Sequence, residues 1–227
     1  MLRWVSFCTF LSVALHGSVA SFGEEQVEPA RNAALSYWQG FALIPSLSES
    51  EQKLRDQVLN GAAVNEDVKR IVAKSEDSLR FLHRGAQLKT AAWGIAWDEG
   101  PYALLPHLSK ARELTRLALV RARVRFAEHQ PKEAVDDIIA SMTLGRHLSR
   151  EGVIVLIPLL VDYAIESQSI EMLATHLRTL DAKTLAYVKQ KLAALPPGVN
   201  LSKAMQGEKD VFLPWVIAEL KKPSAKQ

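Results

Sequence analysis

Apolar residues along this chain recur at three- and four-residue spacing between turn and capping signals, and almost nowhere do they alternate. Pro29 sits where a helix starts, and Ala30 to Leu43 keep helical spacing up to Pro45. Ser48 and Glu51 stand as a capping-box pair opening a second helix, expected to reach Asn60 and stop at Gly61. Asn65 caps a third, with Val68, Ile71, Val72, Leu79 and Leu82 on its apolar face and Gly85 as its expected stop. Residues 86–101 are the longest irregular stretch. A long helix follows over Tyr102 to Glu128, with a bend expected at Pro106. Pro131 opens the next, to Leu148. Another is expected from Gly152 to Leu177, with Pro158 in its first turns. Asp181 caps a shorter one to Leu195, ended by Pro196-Pro197-Gly198, and a last helix spans Leu201 to Leu220. The pattern predicts an all-α protein of about eight helices in an irregular helical-hairpin stack or bundle, one domain over 21–220 with a flexible tail at 221–227.

The long central helix carries two apolar faces. Leu104, Leu108, Ala111, Ala118, Leu119, Ala122 and Phe126 fall on one side, and Leu114, Leu117, Val120 and Val124 on the other. Arg112, Arg116 and Arg123 form one ridge between them; Arg121 and Arg125 form another. A helix apolar on two sides is packed from both, so this element belongs in the middle of the stack. The arginines invite an anionic partner, but their split into two ridges favours stem packing and solvation.

The first residues change where that stack should reside. Arg3 supplies positive charge, Trp4 to Leu15 is apolar, and Ser18 and Ala20 are the small residues of a signal-peptidase site, so residues 1–20 are expected to be a signal peptide cleaved after Ala20. The apolar run falls short of the ~20 residues that span a bilayer. The protein is therefore expected in the periplasm or secreted, with no membrane span after cleavage. Cys8 is the one cysteine and leaves with the leader, so cysteine nucleophiles, thiolate metal sites and disulfides are excluded from the mature chain. A 48% hydrophobic content suits a sizeable core rather than disorder. The net charge of +3, one less without Arg3, is too balanced for a nucleic-acid binder.

Residues 118–144 resemble one tetratricopeptide-type helical hairpin, carried by Ala122, Phe126, Pro131, Glu133, Ala134 and Ile138. His129 and Gln130 stand where that repeat has its turn glycine, and no second copy occurs at the repeat offset. A tetratricopeptide-like or α-solenoid-like arrangement is therefore an alternative to a generic bundle. More broadly, the chain is similar to uncharacterised exported helical proteins of planctomycete-type bacteria. That similarity rests on the segments Ala34 to Leu43, Leu82 to Ala86, Leu104 to Arg112 and Gly207 to Lys209, and it implies no activity.

Candidate chemistry is sparse. His83, His107, His129, His147 and His176 make no His-x-x-x-His or His-Glu-x-x-His pair, and no metal or cofactor is expected. Trp93 and Trp97 bracket a short apolar step followed by Asp98 and Glu99. Such a loop can hold a glycan, peptide or cation by stacking, or it can anchor itself on the helices; large aromatics favour the anchor. If it is functional, His83, Arg84 and His107 at the flanking helix ends are its expected neighbours. Asp162 and Glu166 share one helix face, where ion pairing with Arg146 and Arg150 is simpler than acid–base catalysis. Gly207 interrupts the last helix, which suggests close approach of a neighbour, and leaves Glu208 as a candidate. No nucleophile elbow, phosphate loop or dinucleotide fingerprint is present. The expectation is a helical interaction or scaffold protein whose partner is another protein of the cell envelope. The alternative is a small-ligand binder or enzyme with its site at the Trp93–Glu99 loop.

Overall fold

The computed structural model describes residues 32–150 and 154–221. The expected signal peptide, the Ala30 and Gly152 helix starts and the tail beyond Lys221 lie outside the described residues. Within them the chain is all-helical: α1 (Ala33–Ala42), α2 (Glu49–Leu59), α3 (Glu66–Ala86), α4 (Pro106–Ala127), α5 (Pro131–Arg150), α6 (Leu156–His176), α7 (Ala182–Ala193) and α8 (Leu201–Leu220), with short 3-10 turns at Trp97–Tyr102 and Leu177–Thr179.

Local chemistry sets most of the starts. Asn32, Ser48, Asn65, Asp181 and Asn200 each accept a backbone N–H of the first turn that they open. Ser48 and Glu51 complete the reciprocal capping box, Glu51 accepting the Ser48 N–H at 2.9 Å. Pro106 does not bend a helix: it occupies the first position of α4, where a missing N–H costs nothing. Leu104 consequently precedes the helix and is exposed. Gly85 does not end α3, which continues to Ala86. The ring of Tyr37 lies against it instead, so that a Cβ there would come within 2.4 Å of Tyr37 Cε1.

Helix α4 sits in the centre, touching α1, α2, α3, α5 and α6. Leu108, Ala111, Leu114, Leu117 and Ala118 join a core with α1, α3 and α5. Leu119 and Ala122 join a second core with α5, α6 and α7. Val120 and Val124 join a third with α2 and α3. The helix is thus packed from more than one side, but the cores divide its residues differently from the expected two faces: Leu114 and Leu117 pack with Leu108 and Ala111 rather than with Val120 and Val124, and Phe126 at its end is half-buried.

The second arginine ridge departs from the expectation of solvated stems. Arg121 is buried, and its Nε and Nη2 donate to Asp137 of α5 at 3.1 and 2.6 Å. Arg125 Nη1 adds a contact to the same carboxylate at 2.8 Å, and His83 Nε2 lies 2.7 Å from it. Burial pushes the Asp137 carboxyl up, but the hydrogen bonds from His83 and Arg121 and the charges of Arg121 and Arg125 outweigh it and hold the group below its ordinary value. A fully buried carboxylate demands such partners. It therefore ties α3, α4 and α5 together.

Candidate functional site

The Trp93 loop is strapped down before it reaches the core. The Asn32 side chain donates to Ala92 O and accepts from Ala92 N, both at 2.9 Å, and Ala33 N donates to Thr90 O at 2.8 Å. This fixes the residue before Trp93 and drives the indole inward. Trp93 Nε1 donates to His147 O at 2.9 Å. Its ring stacks on His107 with centroids 4.7 Å apart, and lies near-parallel to Tyr37 at 5.7 Å and Phe41 at 6.1 Å.

The two histidines of this cluster are kept neutral by burial, which pushes each imidazole down to about 4, helped at His147 by the charge of Arg150. His147 Nδ1 pairs with the Tyr37 hydroxyl at 2.8 Å, whereas His107 Nδ1 and His147 Nε2 are buried with no hydrogen-bond partner. Trp93, Trp97 and His107 line one cavity of about 210 Å³ together with Ile95, Leu148 and Pro158. Among the described residues no charged side chain faces it. Ordinary small-molecule sites occupy ~300–1,000 Å³. The space suits a single ring, and the cluster is mainly an aromatic anchor for the loop.

The remaining sequence candidates are dispersed. Asp98 and Glu99 are exposed and do not line the aromatic cavity. His83 and Arg84 line a different, shallow groove with Arg80, Arg121 and Arg125, where His83 is committed to Asp137. Glu208 Oε1 accepts the Leu156 N–H at 2.7 Å and so caps the start of α6. Asp162 and Glu166 part company: Glu166 pairs with Arg146 at 2.5 Å, while Asp162 is buried, accepts from Ser149 Oγ at 2.6 Å, and is pushed up to about 6 mainly by desolvation. Arg150 forms no ion pair with either among the described residues. No group of three or more side chains suited to hold a metal ion occurs among the described residues.

What the sequence pattern missed is a surface. Gly100 receives the indole of Trp215, and Tyr102 meets that indole edge-on at 5.6 Å, so the far end of the tryptophan loop carries α8. Only Ala204 of α8 is buried. Its C-terminal half, Val211 to Leu220, is apolar nearly all round, a composition expected of a helix enclosed on all sides. Yet Leu213, Val216 and Ile217 are exposed, Leu220 is 80% exposed, and Tyr102 and Leu104 beside the same joint are 71% and 78% exposed. By their spacing Leu213, Val216, Ile217 and Leu220 share one face of α8, and an exposed apolar stripe of this kind marks a contact site more often than a solvated face. The signal in the sequence was the loss of polar positions after Asp210, which reads as core when the neighbours are unknown.

No helix among the described residues is long and apolar enough to cross a membrane. Compared with protein-family models, curated proteins and solved structures, the chain matches none.

Proposed function

We propose that this is an exported, non-catalytic helical interaction protein of the cell envelope that docks another protein on the apolar stripe of Leu213, Val216, Ile217 and Leu220 on α8. The observation that carries the proposal is the exposure of Leu213, Val216, Ile217 and Leu220 on a helix whose other half is firmly held. A protein partner suits the surface better than a bilayer. Interfacial helices set a strongly basic face beside the apolar one. Exposed positions of α8 instead mix Lys203 and Lys209 with Asp210 and Glu219. The dispersal of Asp98, Glu99, His83 and Glu208 supports a role without acid–base chemistry, since general catalysis needs its groups within reach of one reacting atom.

The test is affinity capture from the native envelope, followed by binding measurements with the purified pair. A double change, Val216→Glu with Ile217→Glu, is expected to abolish the pair while leaving the melting temperature within a few degrees. A complex that survives this change, or envelope glycan hydrolysis lost on Asp98→Asn, contradicts the proposal.

A further inference from the structure

The first arginine ridge of α4 faces a second feature, remote in sequence from α8. Arg116 and Arg123 line a cleft of about 530 Å³ between the end of α2, α4 and α6, and no residue of α8 or of the 97–104 segment contributes to it. The size lies within the range of ordinary small-molecule sites, ~300–1,000 Å³.

Arg123 pairs with no carboxylate among the described residues, and Arg116 has only a long pairing with Glu113. Arg123 Nη2 donates only to a neutral carbonyl, Ala62 O at 3.2 Å, and its Nε is buried with no acceptor. A buried guanidinium donor left unpaired costs free energy and asks for an absent acceptor. The nearest carboxylate to Arg116 is Glu113, with Oε2 at 3.7 Å and Oε1 taken by Arg55. Asp56, on the cleft wall, is likewise engaged by Arg55 at 2.8 Å.

Glu171 of α6 lines the same cleft and has no ion pair among the described residues. Arg116 and Arg123 thus share one cleft with Glu171 without pairing with it. The apolar side chains of Leu119 and Met172 line the same cleft. We infer that this cleft binds a zwitterion of amino-acid to short-peptide size, its carboxylate on Arg116 and Arg123, its ammonium on Glu171, and an aliphatic side chain over Leu119 and Met172. Guanidinium–carboxylate contacts are charge-assisted and directional, so the site selects a free carboxylate over an amide.

Isothermal titration of the intact chain with L-alanyl-L-leucine tests this. The dipeptide is expected to bind with one-to-one stoichiometry, and its N-acetyl and C-amide forms each to bind at least about tenfold more weakly, the effect of one charge-assisted hydrogen bond. Glu171→Gln changes an exposed residue and leaves the fold intact. It should weaken the free dipeptide about tenfold and leave the N-acetyl form unchanged, because that form has no ammonium to lose. Arg123→Gln should weaken both. Leucine alone, run beside the dipeptide, separates a site for free amino acids from one for peptides. Absence of binding by both, or binding that is indifferent to the caps and to Glu171→Gln, overturns the inference.

Discussion

The carbonyl oxygen of Ile154 lies where Gly207 of α8 would carry a side chain: a Cβ built there would sit 1.7 Å from it. One residue further, Glu208 caps α6 through the Leu156 N–H. These two contacts fasten the first half of α8 to the chain entering α6, and in the second half Trp215 seats on Gly100 while Leu213, Val216, Ile217 and Leu220 stay exposed.

Gly207→Ala therefore tests the fastening. A methyl group cannot share space with a backbone carbonyl, and overpacking of this kind costs roughly 1–3 kcal/mol. Urea denaturation should show that loss, and amide exchange should rise in α8 before it rises in α4.

How far such features are legible depends on the range of the interaction. The caps at Ser48, Asn65 and Asp181 act within one helical turn, so residue type and spacing suffice to place them. The apolar periodicity of α4 is equally local, and the all-helical class follows from it. Gly85 misleads because a glycine near a helix end signals a stop, whereas its space is used by Tyr37 from another helix. Arg121 misleads because the carboxylate that draws it inside is Asp137, on the opposite side of a turn. The loop candidates suffer most. Trp93, His107 and His147 come together only through tertiary packing, and nothing in the spacing of Asp98 and Glu99 reveals that they point away from the cavity.

The two tryptophans of the loop should behave differently. Trp93 is buried in a stack of rings with its Nε1 paired, so Trp93→Ala is expected to cost about 3–5 kcal/mol. Trp97 is only half-buried, and Trp97→Ala should cost about 1–2 kcal/mol. Chemical denaturation of the two variants measures the difference; equal losses would contradict the anchor role of Trp93.

Stability should decline as pH falls from 6.5 toward 4. His107 and His147 titrate near 6.5 when unfolded and near 4 when folded, so in that window the unfolded chain takes up protons that the folded chain refuses. Asp162 acts in the opposite sense. Its raised value, about 6, makes its protonated form favour folding, a contribution present below the unfolded carboxyl value and lost as pH rises through 6. Between pH 4 and 6 the two histidines outweigh Asp162, and the three groups together lose roughly 1 kcal/mol of stability per unit of acidification. Asp162→Asn removes the opposing group. It should steepen this slope about twofold and raise stability at pH 7 by about 1–3 kcal/mol. Denaturation series at several pH values measure both quantities.

His129 holds φ +61° at the end of α4, where Gln130 N donates to Arg125 O at 2.8 Å and His129 N to Phe126 O at 3.2 Å. This is the closing pattern of a helix that glycine serves best. The left-handed conformation costs a side-chain-bearing residue ~1–2 kcal/mol. His129→Gly should accordingly stabilise the protein by about 1 kcal/mol, seen as a higher melting temperature, with the α4–α5 hairpin otherwise unchanged.

The docking surface itself is tested most directly by a photo-crosslinking amino acid placed at Ile217 in the protein expressed in its native cells, with the same group at exposed Arg80 of α3 as control. A discrete adduct with one other polypeptide from position 217, absent from position 80 and lost when Val216 is changed to glutamate, is the result predicted. Adducts only with lipid or with a second copy of the chain, or no adduct above that from Arg80, would contradict it.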